Sequence, residues 1–317
     1  AEDEAGCSRK LPDGRWSFDY VESFALSPAE LAQNGFPRHG GDAPPAGGVR
    51  TYGDYATRSC TDYASTAPTG IRAADAAVDA ATTGAHGSTA ANGAADADAT
   101  GARLLAVDCE MCYAMTAEGG TELQLARLSA VDETLTTVLD ELVLPERPIV
   151  DYNTRYSGIT AESMARATLT RPQAVGALLA AMGAAPHRTF LIGHSLESDL
   201  HALRLTHRRV LDTSVLFPLR LHLDAQPSKA ALRTLSARYL EREIQQSEAG
   251  HDPTEDAQAA MQLALLKLRR GHAYGLPSAA HASEVEPLAH TLGRAHKASY
   301  ALGAATALHR LDGSLAP

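Results

Sequence analysis

From Arg103 onward the chain alternates short apolar runs with helical ones, and this order narrows the fold to one class. Arg103-Leu104-Leu105-Ala106-Val107-Asp108 reads as a buried strand, and Glu122 to Val131 and Thr136 to Leu144 as two more. Short turns separate the three, which predicts an antiparallel meander. Arg171 to Met182 then has helical spacing, Thr189 to Gly193 is a short apolar strand, Leu196 to Leu205 is helical, and Arg209 to Asp212 is a further strand. Ser228 to Leu240 and Pro253 to Leu268 complete the series as helices. Three strands followed by alternating helix and strand predict an α/β protein with a mixed sheet and helices packed on it.

The rest of the 317 residues divides around this block. Residues 1–63 form an N-terminal, partly structured segment. There Ser27-Pro28-Ala29-Glu30 predicts a helix start, with Ser27 as cap and Pro28 in the first position, and Asn34-Gly35 stops it. Residues 64–102 hold 16 alanines with Gly, Ser, Thr and Asn interruptions that break any amphipathic stripe, and read as a low-complexity linker. Residues 271–317, rich in Ala and His, read as a tail or a short helical cap.

Composition and charge exclude several function classes. No apolar run is long enough to span a bilayer, so no membrane partner is expected. Four cysteines, Cys7, Cys60, Cys109 and Cys112, are too few for a disulfide scaffold at this length. The net charge of −10 is uneven. Residues 1–102 carry 7 basic and 14 acidic side chains, whereas residues 103–270 carry 18 and 21. The acidity sits mostly in the first third, which leaves the α/β block open to a nucleic-acid partner.

Three elements in that block carry chemistry. In a strand, residues i and i+2 share a face, so Asp108 and Glu110 project together at the end of an apolar strand. Two adjacent carboxylates repel unless a cation lies between them, and hard cations such as Mg²⁺ or Mn²⁺ suit such a pair. The second element, Gly193-His194-Ser195-Leu196-Glu197-Ser198-Asp199, turns from a strand into a helix, with Asp199 in the first turns. Here Glu197 suits a surface role beside the helix N-terminus better than Asp199 does. In the third, His251-Asp252-Pro253-Thr254-Glu255-Asp256, Asp252 fits a helix cap and Asp256 lies inside the helix. A histidine beside a metal-held water makes a suitable general base because it titrates near neutrality.

The order Asp-x-Glu, then Asp, then His-x4-Asp resembles the DEDDh 3′→5′ exonucleases of the ribonuclease H-like fold, and more narrowly the Rex-type RNA exonucleases. The strings Leu105–Met111, Tyr152–Thr160, Ile192–Leu200, Leu211–Thr213 and Gly250–Ala257 carry the likeness over residues 103–270. It implies helices on both faces of the sheet, with Asp108, Glu110, Asp199 and Asp256 as ligands of two Mg²⁺ (or Mn²⁺) ions and His251 as general base. It further implies Met111 and His194 as substrate-binding residues and RNA with a single-stranded 3′ end as partner. The products would be nucleoside 5′-monophosphates, the location nucleus or nucleolus, and no organic cofactor is called for. Residues 103–270 have a net charge of −3, and two bound divalent cations would bring them near +1.

Other readings are distinguishable. The same mechanism could act on DNA, since the metal ligands do not read the sugar, or the fold could bind nucleic acid without turnover. Cys109-Glu110-Met111-Cys112 has C-x-x-C spacing but no second pair for a zinc site, and it brackets a carboxylate on a strand. Ser195 lacks the Gly two residues on that a nucleophile elbow needs, because position 197 is Glu. Tyr152, Tyr156 and Phe217 could stack on bases but are read as core or loop packing residues, and Asp212 as structural.

Overall fold

The computed structural model describes residues 9–38, 101–219, 229–247 and 250–277, and the backbone of 64–65, 300–302 and 308–310. The longest strand, β1 (Arg103–Met115), is the organising element. It pairs antiparallel with β2 (Thr121–Asp132), which pairs antiparallel with β3 (Thr137–Leu144). On its other side β1 pairs in parallel with β4 (Thr189–Gly193), and β4 with the edge strand β5 (Val210–Asp212). Leu169–Thr170 extends the sheet beyond β3, and Ile149–Asp151 pairs with the far end of β1. This is the predicted ribonuclease H-like order, a meander followed by parallel strands.

Both faces of β1 are covered, so its sequence is an almost continuous apolar run rather than an alternating one. Leu105, Val107 and Cys109 enter one core together with Ala174, Val175 and Leu178 of α3 (Arg171–Ala181) and Leu200 and Leu203 of α4 (Glu197–Leu203). Leu104 and Ala106 enter the other. There they meet α5 (Pro253–Arg270), whose Ala257, Ala260, Met261, Ala264, Leu265 and Leu268 recur at helical spacing. Helices therefore pack on both faces.

Local chemistry sets the helix starts. Asp252 caps α5 by accepting from Thr254 N, with Pro253 in the first turn. Upstream, Ser27 caps Pro28–Gln33 in a capping box with Glu30. The helix predicted to begin at Ser228 differs: Ser228 lies outside the described residues, and helix begins only at Leu232, with a wide π-type turn over Ser236–Leu240. Ala231 just before it is extended, with φ −67° and ψ 145°.

The N-terminal segment belongs to the same compact unit, which runs to Phe217 and resumes over Lys229–Gly275. Phe18–Glu22 is a short helix. Trp16, Tyr20, Val21 and Phe24 join the α5 core, while Leu26 and Phe36 join the other. The Tyr20 hydroxyl donates to Leu268 O at 2.8 Å, satisfying a carbonyl in the last turn of α5. Most of the Ala-rich stretch lies outside the described residues, but Ala64–Ser65 pairs in parallel with Leu205–Thr206. In the C-terminal segment Tyr300–Leu302 pairs antiparallel with Leu308–Arg310. Among the described residues no helix is long and apolar enough to cross a membrane.

One loop contact places the start of α5. Gly250 has φ +105°, and a Cβ there would overlap the Gly158 backbone nitrogen and lie 2.7 Å from Thr154 O. His251 N follows by donating to Tyr156 O at 2.7 Å.

Two outcomes follow from this packing. Gly250→Ala should cost about 3 kcal/mol or more, through left-handed strain and steric overlap together. That lowers the melting temperature by roughly 6–12 °C for a domain of this size, measured by thermal unfolding. Tyr20→Ala should cost about 3–5 kcal/mol in urea denaturation, and Tyr20→Phe about 1 kcal/mol from the unpaired Leu268 carbonyl. A loss below about 0.5 kcal/mol for Tyr20→Ala, the range of an ordinary surface change, would mean that the N-terminal segment does not dock.

Candidate active site

Four carboxylates from three separate stretches of chain meet at the middle of β1, which runs on to Met115 rather than ending at Asp108 and Glu110 as the sequence suggests. Beyond Ala106, β1 outruns its pairing with β4, which stops at Ala106↔Ile192. The Cys109 N–H accordingly finds another acceptor and donates to Asp199 Oδ1 at 2.7 Å. Asp199, in the first turn of α4, is thereby tied to the strand between Asp108 and Glu110. A bulge between Glu110 and Met111 follows at once, the kind of irregularity that re-aims side chains beside active sites. Asp256 comes from the helix on the opposite face, where it lies in the buried stripe of α5 one turn before Ala260.

Burial and mutual repulsion govern the titration of these groups. Asp108 keeps some solvent access, but the protein packed around it, followed by Asp199, Asp256 and Glu110, raises its pKa well above the carboxylate range. Burial pushes Glu110 to about 8, with Asp256 and Asp199 adding to the shift and Arg127 opposing it. Asp199 rises to about 8 through burial, against the Cys109 hydrogen bond. Asp256 rises to about 6 through burial, against a hydrogen bond from Gln245.

His251 sits 3.8 Å from Asp256 Oδ2 through Nδ1 and is a little over one-third exposed. Burial, and next the positive charge of Arg233, lower its pKa below the ordinary histidine value. The imidazole is therefore neutral at pH 7 and able to accept a proton. Arg127 lies opposite Glu110 in the ladder, forms two bonds of 2.8 Å to Asp140, and reaches Asp252 at 3.4 Å. Thr254 of α5 donates to Ser129 of β2 at 3.3 Å, which fixes the helix start over the sheet.

The structure thus brings Asp108, Glu110, Asp199, His251 and Asp256 into one neighbourhood. Met111 is partly exposed and packs against the α3–α4 core. His194 is bonded within the protein: Nδ1 lies 2.9 Å from Thr213 Oγ1, and the ring also bonds the Ala230 backbone. Asp212 has the structural role expected of it. Fully buried, it accepts from Ser195 N, Leu196 N and both Ser214 N and Oγ at 2.6–3.0 Å, which shapes the turn into α4. Glu197 differs from its predicted place as a solvated dipole partner. Its side chain is only 22% exposed, and Oε1 accepts from Lys229 Nζ at 2.8 Å. Lys229 lies 32 positions downstream, too far for local spacing to reveal.

Tyr152 is partly buried and Phe217 packs against Tyr239 and Tyr274, whereas Tyr156 is 56% exposed with the Arg155 guanidinium 5.7 Å from its ring. Cys109 and Cys112 are unpaired and buried. Burial raises the Cys109 thiol well above its usual value and Cys112 to about 11, so neither is the thiolate that redox or zinc chemistry needs. The sequence reading missed Arg127 and Gln245. Strand register could have flagged Arg127, but Gln245 lies in an irregular stretch with no periodic signal.

As placed, no three His, Cys, Asp or Glu side chains among the described residues form a ready metal-binding group. The residues nonetheless fit a hard divalent cation. All four candidate ligands are carboxylates, the hard oxygen donors that such a cation takes, and the mutual repulsion that helps raise the Asp108 and Glu110 pKa values would be relieved by a bound cation. In addition, Asp256 Oδ1 is buried with no hydrogen-bond partner among the described residues, an acceptor left for a donor or a cation.

No protein-family profile matches the chain. Exonuclease GOR of Pan troglodytes is 48% identical over 167 residues, which cover 53% of this chain and 23% of the relative. Human RNA exonuclease 1 homolog is 46% identical over 166 residues, covering 52% of this chain and 13% of the relative. Among solved structures, the Saccharomyces cerevisiae Pan2 pseudoubiquitin hydrolase–RNA exonuclease module in complex with AAGGA RNA aligns with 24% identity and a TM-score of 0.44, over 62% of this chain and 32% of that one. The chain spans less than a quarter of the length of these two sequence relatives. Over the half of its length that they match, this chain is homologous to the Rex-type RNA exonucleases.

Proposed function

We propose that this protein is a divalent-cation-dependent exoribonuclease of the DEDDh type, trimming single-stranded RNA from the 3′ end and releasing nucleoside 5′-monophosphates. The observation that carries this reading is the gathering of Asp108, Glu110, Asp199 and Asp256 into one mutually repelling cluster with neutral His251 at its edge. The names of the sequence relatives, both exonucleases and one of RNA, supply the substrate class.

Two Mg²⁺ or Mn²⁺ ions held by the four carboxylates would supply activation of the attacking water and stabilisation of the leaving 3′ oxygen. The chain's own groups do the rest. His251 accepts the proton of that water, a role worth about 10²–10⁴-fold in rate. The Cys109 N–H fixes one oxygen of Asp199, and Arg127 holds the strand opposite Glu110. Tyr156, exposed beside His251, offers a face on which a base can stack.

The test is a time course on 5′-labelled single-stranded RNA with Mg²⁺ or Mn²⁺, resolved to single nucleotides beside a matched DNA strand. A ladder shortening from the 3′ end is expected, absent in EDTA and absent for Asp108→Asn. Faster loss of the DNA strand would assign the same chemistry to the other sugar. Full activity of Asp108→Asn would exclude the carboxylate assignment. His251→Ala should slow turnover by about 10²-fold or more while Mn²⁺ binding persists, and an unchanged rate would remove it as base.

A further inference from the structure

We propose that Gln245 is a positioning residue, whose side-chain amide pins one oxygen of Asp256 and leaves the other free for a divalent cation. The inference rests on the exonuclease reading above. Gln245 Nε2 donates to Asp256 Oδ2 at 2.8 Å, and His251 Nδ1 lies 3.8 Å from that same oxygen. The second oxygen, Oδ1, has no partner among the described residues, although Asp256 is only 4% exposed. One half of the carboxylate is thus held, and the other half is available.

The backbone is built to deliver this amide. Gln245 has φ +57°, a left-handed conformation that a residue with a side chain adopts only where its surroundings over-determine it. The surroundings do so here. The Gln245 N–H donates to Glu255 Oε2 at 2.9 Å, from the residue beside Asp256 on α5. Arg242 bonds Gln262 Oε1 at 3.1 Å and reaches Glu255 Oε1 at 3.5 Å. Its carbonyl accepts from Ser236 Oγ at 2.7 Å. The stretch is therefore clamped to the same helix that carries Asp256, so amide and carboxylate keep their register.

The choice of an amide also has a chemical reason. A lysine or arginine at this point would neutralise Asp256 and compete with a cation for it. An amide donates a hydrogen bond and adds no charge, so the full negative charge of Asp256 remains for the metal. Hydrogen bonds to ligating groups commonly set metal affinity or activity by 10–100-fold.

Gln245→Gly separates the amide from the backbone, because glycine takes the left-handed conformation without strain. Manganese(II) is titrated into the full chain and the free ion is followed by electron paramagnetic resonance, with Asp256→Asn alongside. The Mn²⁺ dissociation constant of Gln245→Gly should rise about 10–100-fold. Its melting temperature should fall by no more than about 4 °C, because relief of the left-handed strain offsets part of the lost hydrogen bond, kcat on RNA should fall at fixed Mg²⁺, and KM for RNA should stay within about twofold. A merely structural role would lower the melting temperature further and leave the Mn²⁺ curve in place. Gln245→Gly binding Mn²⁺ like the parent, while Asp256→Asn loses it, would overturn the positioning role and leave the exonuclease site standing. Unchanged Mn²⁺ binding in both variants would overturn the site assignment and the role of Gln245 with it.

Discussion

Asp108 and Glu110 leave β1 on one face, and Asp199 and Asp256 approach them from helices on opposite sides of the sheet. Groups that would be separate and charged in an unfolded chain are brought within electrostatic reach of one another, where burial raises the pKa of each. Like charges gathered in a poorly solvated place oppose folding. The fold must therefore hold them by force from elsewhere, and β1 is where that force is applied. Its first half is packed from both faces, by α3 and α4 on one side and α5 on the other, so the middle of the strand, which carries the carboxylates, is not free to move away. The contacts that then touch the carboxylates directly are mostly neutral donors, the Cys109 N–H on Asp199 and the Gln245 amide on Asp256. Neutral donors orient a carboxylate without cancelling the charge that draws a cation.

Much of this was legible in the sequence, because the relevant signals are local. The Asp-x-Glu spacing on an apolar strand sets a shared face for Asp108 and Glu110. The string from His251 to Asp256 carries its own cap, proline and first helical turn, so the helix start could be placed and Asp256 set inside it. The meander followed by alternation gave the sheet its order. What escaped was long-range. The place of Glu197 near a helix N-terminus suggests a solvated dipole partner, but its actual partner Lys229 comes from a stretch that no spacing rule connects to it. The helix expected from Ser228 begins only at Leu232, because Ala231 is extended and Ala230 is engaged with His194 instead. Gln245 was invisible for a similar reason. Its left-handed backbone is accompanied by bonds to Glu255 and from Arg242 to the same helix, and a glutamine in an irregular stretch between helices carries no hint of either.

The N-terminal segment shows the same limit at the level of architecture. Read alone, residues 9–38 hold a short capped helix and scattered aromatics, too little apolar surface to fold on their own. The sheet explains their place. β5 is an edge strand, and an exposed edge with unpaired carbonyls is a liability. Leu26 N donates to Val210 O at 2.9 Å, so the segment satisfies part of that edge. Ahead of β1, Ala102 N donates to Trp16 O at 2.8 Å. The same stretch thus touches the strand that leads to Asp108 and Glu110, the edge of the sheet and, through Tyr20, the last turn of the helix whose first turn holds Asp256. Clamping α5 at its far end limits its rotation and translation over the sheet, because a helix packed by its side chains moves as a unit. The position of Asp256 relative to β1 therefore depends partly on residues more than two hundred positions upstream, which contribute no group to the site.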